Sequence, residues 1–264
     1  MRVVLKTSLL LIALVLSGCN QIKMNSYWNE GTITIDGNLG EWTEGLTILP
    51  DSKLAIGTRN DGENFYLALT TKDQDLIRQV IMTGFTLWLD PKGGRKRILG
   101  IGYPQPARPE RSLPQPGKKK VDPAAQAELM RTRLLAQTEI LIMFDDGSIT
   151  RLGKQNPQGI GLAVRLAAGI LHYELRVPLS TDENNRRAIH STPGRNIGVG
   201  LTTTKPGPPR QGGSGESGND IGGDFRGSGG SGRGAGTGGE RPGMASTQNF
   251  EPLKIWLKVK LSEK

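Results

Sequence analysis

Apolar and polar side chains alternate with a period of two through most of this chain. In Phe85-Thr86-Leu87-Trp88-Leu89-Asp90, the residues Phe85, Leu87 and Leu89 fall on one face of a strand, and Thr86, Trp88 and Asp90 on the other. Pro91-Lys92-Gly93-Gly94 reads as a tight reversal, and the chain returns through Arg95 to Ile101. Glu63 to Thr71 repeats the pattern, with Phe65, Leu67 and Leu69 inward and Tyr66, Ala68 and Thr70 outward, after an Asn60-Asp61-Gly62 turn. Leu54 and Ile56 mark a strand before that turn. A short strand over 32–37 is predicted to run into an Asp36-Gly37 turn, with Trp42 folding back onto the core.

The second half continues in the same way. Ile140 to Phe144 and Ser148 to Leu152 form a hairpin around Asp145-Asp146-Gly147. Gly159 to Leu166 follows, and then Leu171, Tyr173, Leu175 and Val177 point inward while His172, Glu174 and Arg176 point out. Asn196 to Thr203 alternates, with Gly198 and Gly200 outward, and Leu253 to Leu261 supplies a last strand in which Trp256 and the lysines face out. Two segments have helical spacing instead. Leu76, Ile77, Val80 and Ile81 follow a capping Asp73 and end at Gly84, and Asp122-Pro123 opens a helix to about Gln137. Nine or ten short strands without βαβ alternation predict a mainly β protein, an antiparallel β-sandwich with two short helices.

Composition divides this picture. Residues 104–122 are rich in proline and basic residues, and 205–246 hold sixteen glycines between Gly207 and Gly243. Both are predicted to be long disordered loops of a single sandwich domain spanning 32–264. Residues 1–18 carry Arg2 and Lys6 before an apolar run that ends in Leu16-Ser17-Gly18-Cys19. That run has the form of a signal peptide and resembles a bacterial lipobox, with Cys19, the only cysteine, as the lipidated residue. Residues 19–31 are predicted to tether the domain to the membrane. Asn20 follows the cysteine rather than Asp, which by the lipobox resemblance implies sorting to the outer membrane if the cell is Gram-negative. Removing the leader takes two charges from a net +9, leaving +7 in separate short basic runs.

Taken together, Ile33 to Trp42, Asn60 to Leu69, Trp88 to Gly94 and Tyr173 to Leu179 resemble the DOMON-like β-sandwich group, and within it the family 9 carbohydrate-binding modules. The resemblance covers most of 32–204 and the last strand. It implies sugar binding, in some members with calcium holding loops, and haem binding in other branches.

Sugar recognition uses flat aromatic faces with polar groups nearby. Trp88, Trp256 and Tyr66 project away from the apolar faces of their strands, and Gly198 and Gly200 would leave a flat strip beside the tryptophans. The competing expectation is that the helix over 73–84, or a loop, covers these rings in a second small core. Asp145-Asp146-Gly147 and Asp182-Glu183-Asn184-Asn185 hold oxygen ligands but no EF-hand spacing, and turn chemistry accounts for them. Asp36, Asp61 and Asp90 read as turn formers too. His172 and His190 are the only histidines and no CxxCH occurs, so haem finds no support in the residues. Gly234 to Gly239 matches G-x-G-x-x-G only by glycine saturation, and nothing nominates a nucleophile or a carboxylate pair. The sequence therefore predicts a non-catalytic, membrane-anchored lipoprotein without a cofactor. Calcium enters through the resemblance alone. Its expected partners are the membrane and a polysaccharide, not nucleic acid; the alternative is a structural or protein-interaction scaffold of the envelope.

Overall fold

The computed structural model describes residues 21–50, 52–106, 122–154, 156, 159–204 and 251–264. The leader, Cys19, the glycine-rich segment and most of the proline-rich loop lie outside the described residues. Thirteen strands appear in chain order: β1 (Ile22–Asn25), β2 (Tyr27–Trp28), β3 (Thr47–Ile48), β4 (Ala55–Asn60), β5 (Asn64–Thr71), β6 (Phe85–Asp90), β7 (Leu99–Gly102), β8 (Glu139–Phe144), β9 (Ile149–Gly153), β10 (Gly161–Ala167), β11 (Ile170–Pro178), β12 (Asn196–Thr203) and β13 (Lys254–Lys260). They form a seven-stranded sheet in the order β1-β13-β12-β6-β7-β8-β9 and a six-stranded sheet in the order β10-β11-β5-β4-β2, with β3 also paired to β4. No described helix is long and apolar enough to cross a membrane.

The alternation fixes which face is buried. Phe65, Leu67, Leu171, Leu175 and Val177 from one sheet meet Leu87, Leu89, Ile101, Ile142, Val199, Leu201 and Leu257 from the other in one core cluster. This is the mainly β, two-sheet architecture that the pattern predicts, with two α-helices among the described residues. The first, α1 (Gln74–Thr83), is capped by Asp73, whose carboxylate accepts from Leu76 N, and leaves through Gly84 at φ 81°. The second, α2 (Pro123–Ala136), packs Met130 and Leu134 into the same cluster.

Three expectations differ from what is found. Residues 19–31 are not simply a tether: β1 pairs in parallel with β13, Ile22 opposite Leu257, and β2 pairs with β4. Its polar composition concealed this because an edge strand buries only alternate residues, here Ile22 and Met24. Residues 32–37 form no strand; Thr34 N and Asp36 N bond instead to the side chains of Glu41 and Glu174. Helix α1 does not lie over Trp88. Leu76, Ile77, Val80 and Ile81 join the core between the sheets, on the opposite side of the seven-stranded sheet from that ring.

Candidate functional site

The register of the seven-stranded sheet aligns its outward residues in rows across the strands. Trp256 lies opposite Gly200, Gly200 opposite Trp88, Trp88 opposite Gly100, Gly100 opposite Met143, and Met143 opposite Ile149. Two tryptophans thus share one row with two glycines. They stand two strands apart, about 10 Å at the usual strand spacing. Both rings are half-buried.

The glycines let the rings lie down. A Cβ on Gly100 would sit 2.6 Å from the Trp88 ring, and one on Gly200 would sit 2.8 Å from the Trp256 ring. Each indole therefore rests on bare backbone of the neighbouring strand, and both lean the same way across the sheet. A glycine within a strand here marks a close approach rather than a bend.

One side of the row is walled by the β6–β7 hairpin. Asp90 is buried at 2% exposure and closes the turn, its carboxylate accepting from Lys92 N and Lys96 N, both at 2.9 Å. The turn folds back over β12, so that a Cβ on Gly198 would meet the carbonyl oxygen of Gly94 at 2.1 Å. Gln21 pins it from the other side by donating to Gly94 O (3.3 Å) and Leu257 O (2.9 Å). The same hairpin places the Arg97 guanidinium 5.4 Å from the centroid of the Trp88 ring, a cation–π distance.

Tyr66 is not part of this face. It lies on the six-stranded sheet at 7% exposure, packed with Ile33, Trp42 and Ala68 in a second small core under residues 31–46. Its hydroxyl donates to Asp61 Oδ2 at 2.8 Å, and burial together with that carboxylate raises the phenol pKa. The second small core weighed for all three rings is thus found for Tyr66, covered by residues 31–46 together with Trp42, and not for Trp88 and Trp256, which stay half-buried on the other sheet.

Sequence reasoning missed what holds that second core. Glu174, expected to face solvent, is 0% exposed. Its carboxylate accepts from Trp42 Nε1 (2.8 Å), Gly37 N (2.7 Å) and Asp36 N (3.1 Å). Burial raises its pKa above the ordinary glutamate value despite the three donors that pull it down. A carboxylate at an outward strand position opposite an Asp-Gly turn gave no local signal, because the bond partners lie more than 130 residues away.

The remaining candidates take the places of turn formers. Asp36 Oδ1 accepts from Asn38 N, Asp61 Oδ1 from Glu63 N and Asn64 N, and Asp182 Oδ1 from Asn184 N. Asp146 accepts from the Ser148 hydroxyl (2.6 Å) and from Ser148 N and pairs with Arg186 at 2.7 Å, which together hold its carboxyl low, at about 2. No group of three or more His, Cys, Asp or Glu that could hold a metal occurs among the described residues. His172 Nδ1 lies 3.3 Å from Thr70 Oγ1, and burial and Arg165 lower its pKa. His190 sits in a loop at φ 54°.

No family model matches the chain, and no curated protein matches it. Among solved structures it is similar to a family 9 carbohydrate-binding module of Caldicellulosiruptor kristjanssonii in complex with cellotriose, at 12% identity and a TM-score of 0.32. That likeness covers 70% of this chain and 76% of the other. A glucose complex of such a module from the same organism gives 12% identity and a TM-score of 0.33, over 70% and 78%. The two-sheet arrangement stands on its own hydrogen-bonded register.

Proposed function

We propose that this protein is a non-catalytic carbohydrate-binding lipoprotein of the bacterial envelope, anchored through acylated Cys19, which takes its glycan on the outer face of the seven-stranded sheet. The observation that carries the binding half is the transverse row of Trp256, Gly200, Trp88 and Gly100. Each indole spends one face on a glycine, which fixes its plane along the sheet surface. A pyranose presents an apolar C–H face to such a ring, and the two-strand separation suits two sugars of one extended chain lying across the strands. Thr86 and Thr202, paired across β6 and β12 one row away, place hydroxyls on the same face, that of Thr202 donating to Thr86 O at 3.2 Å and keeping its lone pairs to accept from a sugar.

The anchor half rests on the Leu16-Ser17-Gly18-Cys19 motif after an apolar run. Several acyl chains on one cysteine give stable attachment where a single chain does not. With β1 beginning at Ile22, an acylated Cys19 would leave a tether of only Asn20 and Gln21, and would hold the β1 edge of the sheet close to the membrane.

The binding test is a fluorescence titration with a panel of soluble polysaccharides, with and without calcium. Tryptophan emission is expected to shift with at least one glycan. Trp88→Ala should weaken that glycan by about 30-fold, the equivalent of a 2 kcal/mol contact hot spot. If emission and melting temperature stay unchanged across the panel, the carbohydrate reading is wrong and the sandwich is a scaffold.

A further inference from the structure

The ring row is bordered by cations that form no ion pair among the described residues. On β13 the outward residues are Lys254, Trp256, Lys258 and Lys260, so a lysine stands on each side of Trp256, about 7 Å away along the strand. The parallel register of β1 places Lys23 directly opposite Lys258. Arg97 lies over Trp88. Among the described residues, none of Lys23, Lys254, Lys258 and Arg97 has a carboxylate within ion-pair distance.

The carboxylates of this face are already committed. Asp90 shares a row with Lys258 and Gly198, but it is buried and its oxygens accept from Lys92 N and Lys96 N. Glu139, on β8, pairs with Arg151 of β9 at 3.6 Å. Like charges placed directly opposite across paired strands destabilise a sheet, and Lys23 and Lys258 are register partners of this kind. An anion bound between them removes that repulsion.

We propose that the glycan taken by this face is an acidic polysaccharide, its rings lying on Trp256 and, once the Arg97 side chain swings off it, on Trp88, and its carboxylate or sulfate groups on the flanking Lys254, Lys258, Lys23 and the displaced Arg97. The proposal rests on the carbohydrate reading above and adds the charge of the ligand to it. Stacking supplies contact with the sugar face and carries no sign. The cations select against neutral chains of the same shape, since each exposed pair adds little and several in register on one polymer add together.

Matched polymers that differ in charge but not in backbone test it: polygalacturonate against its methyl ester, and carboxymethylcellulose against hydroxyethylcellulose. The acidic member of at least one pair is expected to bind roughly tenfold tighter than its neutral partner, and to weaken as sodium chloride rises from about 50 to 500 mM. The double variant Lys254→Gln with Lys258→Gln should bind acidic and neutral members alike, while Trp88→Ala should lose both. Melting curves of the variants check that the fold is intact. Equal binding of both members by the unaltered protein overturns the charge proposal and leaves the carbohydrate reading standing. No binding of any member overturns both. Tighter binding to oligo-dT or to phosphatidylglycerol vesicles than to any polymer also overturns the proposal, because the face would then be a nucleic-acid or membrane surface.

Discussion

Gly198 and Gly200 sit two residues apart on the same strand and the same face, yet alanine should affect them very differently. At Gly198 the new Cβ would lie 2.1 Å from the Gly94 carbonyl oxygen, which is backbone. Restoring even a 3.0 Å contact moves the hairpin turn by about 0.9 Å, and its anchors resist this. Gln21 donates to that same carbonyl, and the buried Asp90 carboxylate holds Lys92 N and Lys96 N at 2.9 Å. Overpacking costs about 1–3 kcal/mol, and weakening one bond to a buried carboxylate costs a further ~1.5–3 kcal/mol. The lower backbone entropy of alanine in the unfolded chain returns about 0.4–1 kcal/mol. Gly198→Ala should therefore destabilise by about 3 kcal/mol, a fall of roughly 6–12 °C in Tm for a domain of this size.

At Gly200 the nearest atoms an alanine Cβ would meet belong to the Trp256 ring, at 2.8 Å, and an indole on the sheet surface can tilt. Its net cost should stay within about 1 kcal/mol, since ring displacement and the alanine entropy gain nearly offset. The ring would nonetheless lift from the sheet and glycan affinity would fall. Urea unfolding followed by far-UV circular dichroism measures both substitutions on the same scale. Equal costs for the two glycines, or a Gly198→Ala variant as stable as the parent, would show that the hairpin does not rest on β12 and that the ring row has no wall on that side.

Glu174 makes a pH prediction. Its folded pKa is raised by burial, so the folded protein holds this proton more tightly than the unfolded chain does. Its contribution to stability is full below the unfolded glutamate pKa and is lost as pH rises through the folded value. Urea midpoints of the parent relative to Glu174→Gln should thus decline as pH rises above the ordinary glutamate range, and a pH-independent difference would refute the assignment. Trp42→Phe removes the Nε1 bond to the same carboxylate and should cost about 2 kcal/mol, read from the same unfolding curves; a loss under about 0.5 kcal/mol would mean that the bond is not formed. Cys19→Ser should abolish incorporation of a radiolabelled lipid precursor, and a labelled variant would disprove the anchor.

What the residues themselves determined was local. Period-two alternation selected the buried face of β5, β6, β11, β12 and β13, because one side of each strand must be apolar whatever it pairs with. Asp73 and Gly84 bounded α1 by capping chemistry that acts within four residues. Alternation also showed that Trp88, Trp256 and Tyr66 point away from the main core and suggested a platform of the two tryptophans beside Gly198 and Gly200, but it could not say which strands are neighbours.

Only the tertiary structure decided that. Strand order and register put Trp88 and Trp256 in one row over Gly100 and Gly200, and they put Tyr66 on the opposite sheet beneath residues 31–46. The same register turned residues 22–25 from an expected tether into an edge strand, and made Glu174 the buried acceptor for Trp42. These outcomes depend on pairings between residues far apart in the chain. The pattern along a single strand fixes which way each side chain points, but not what lies beside it.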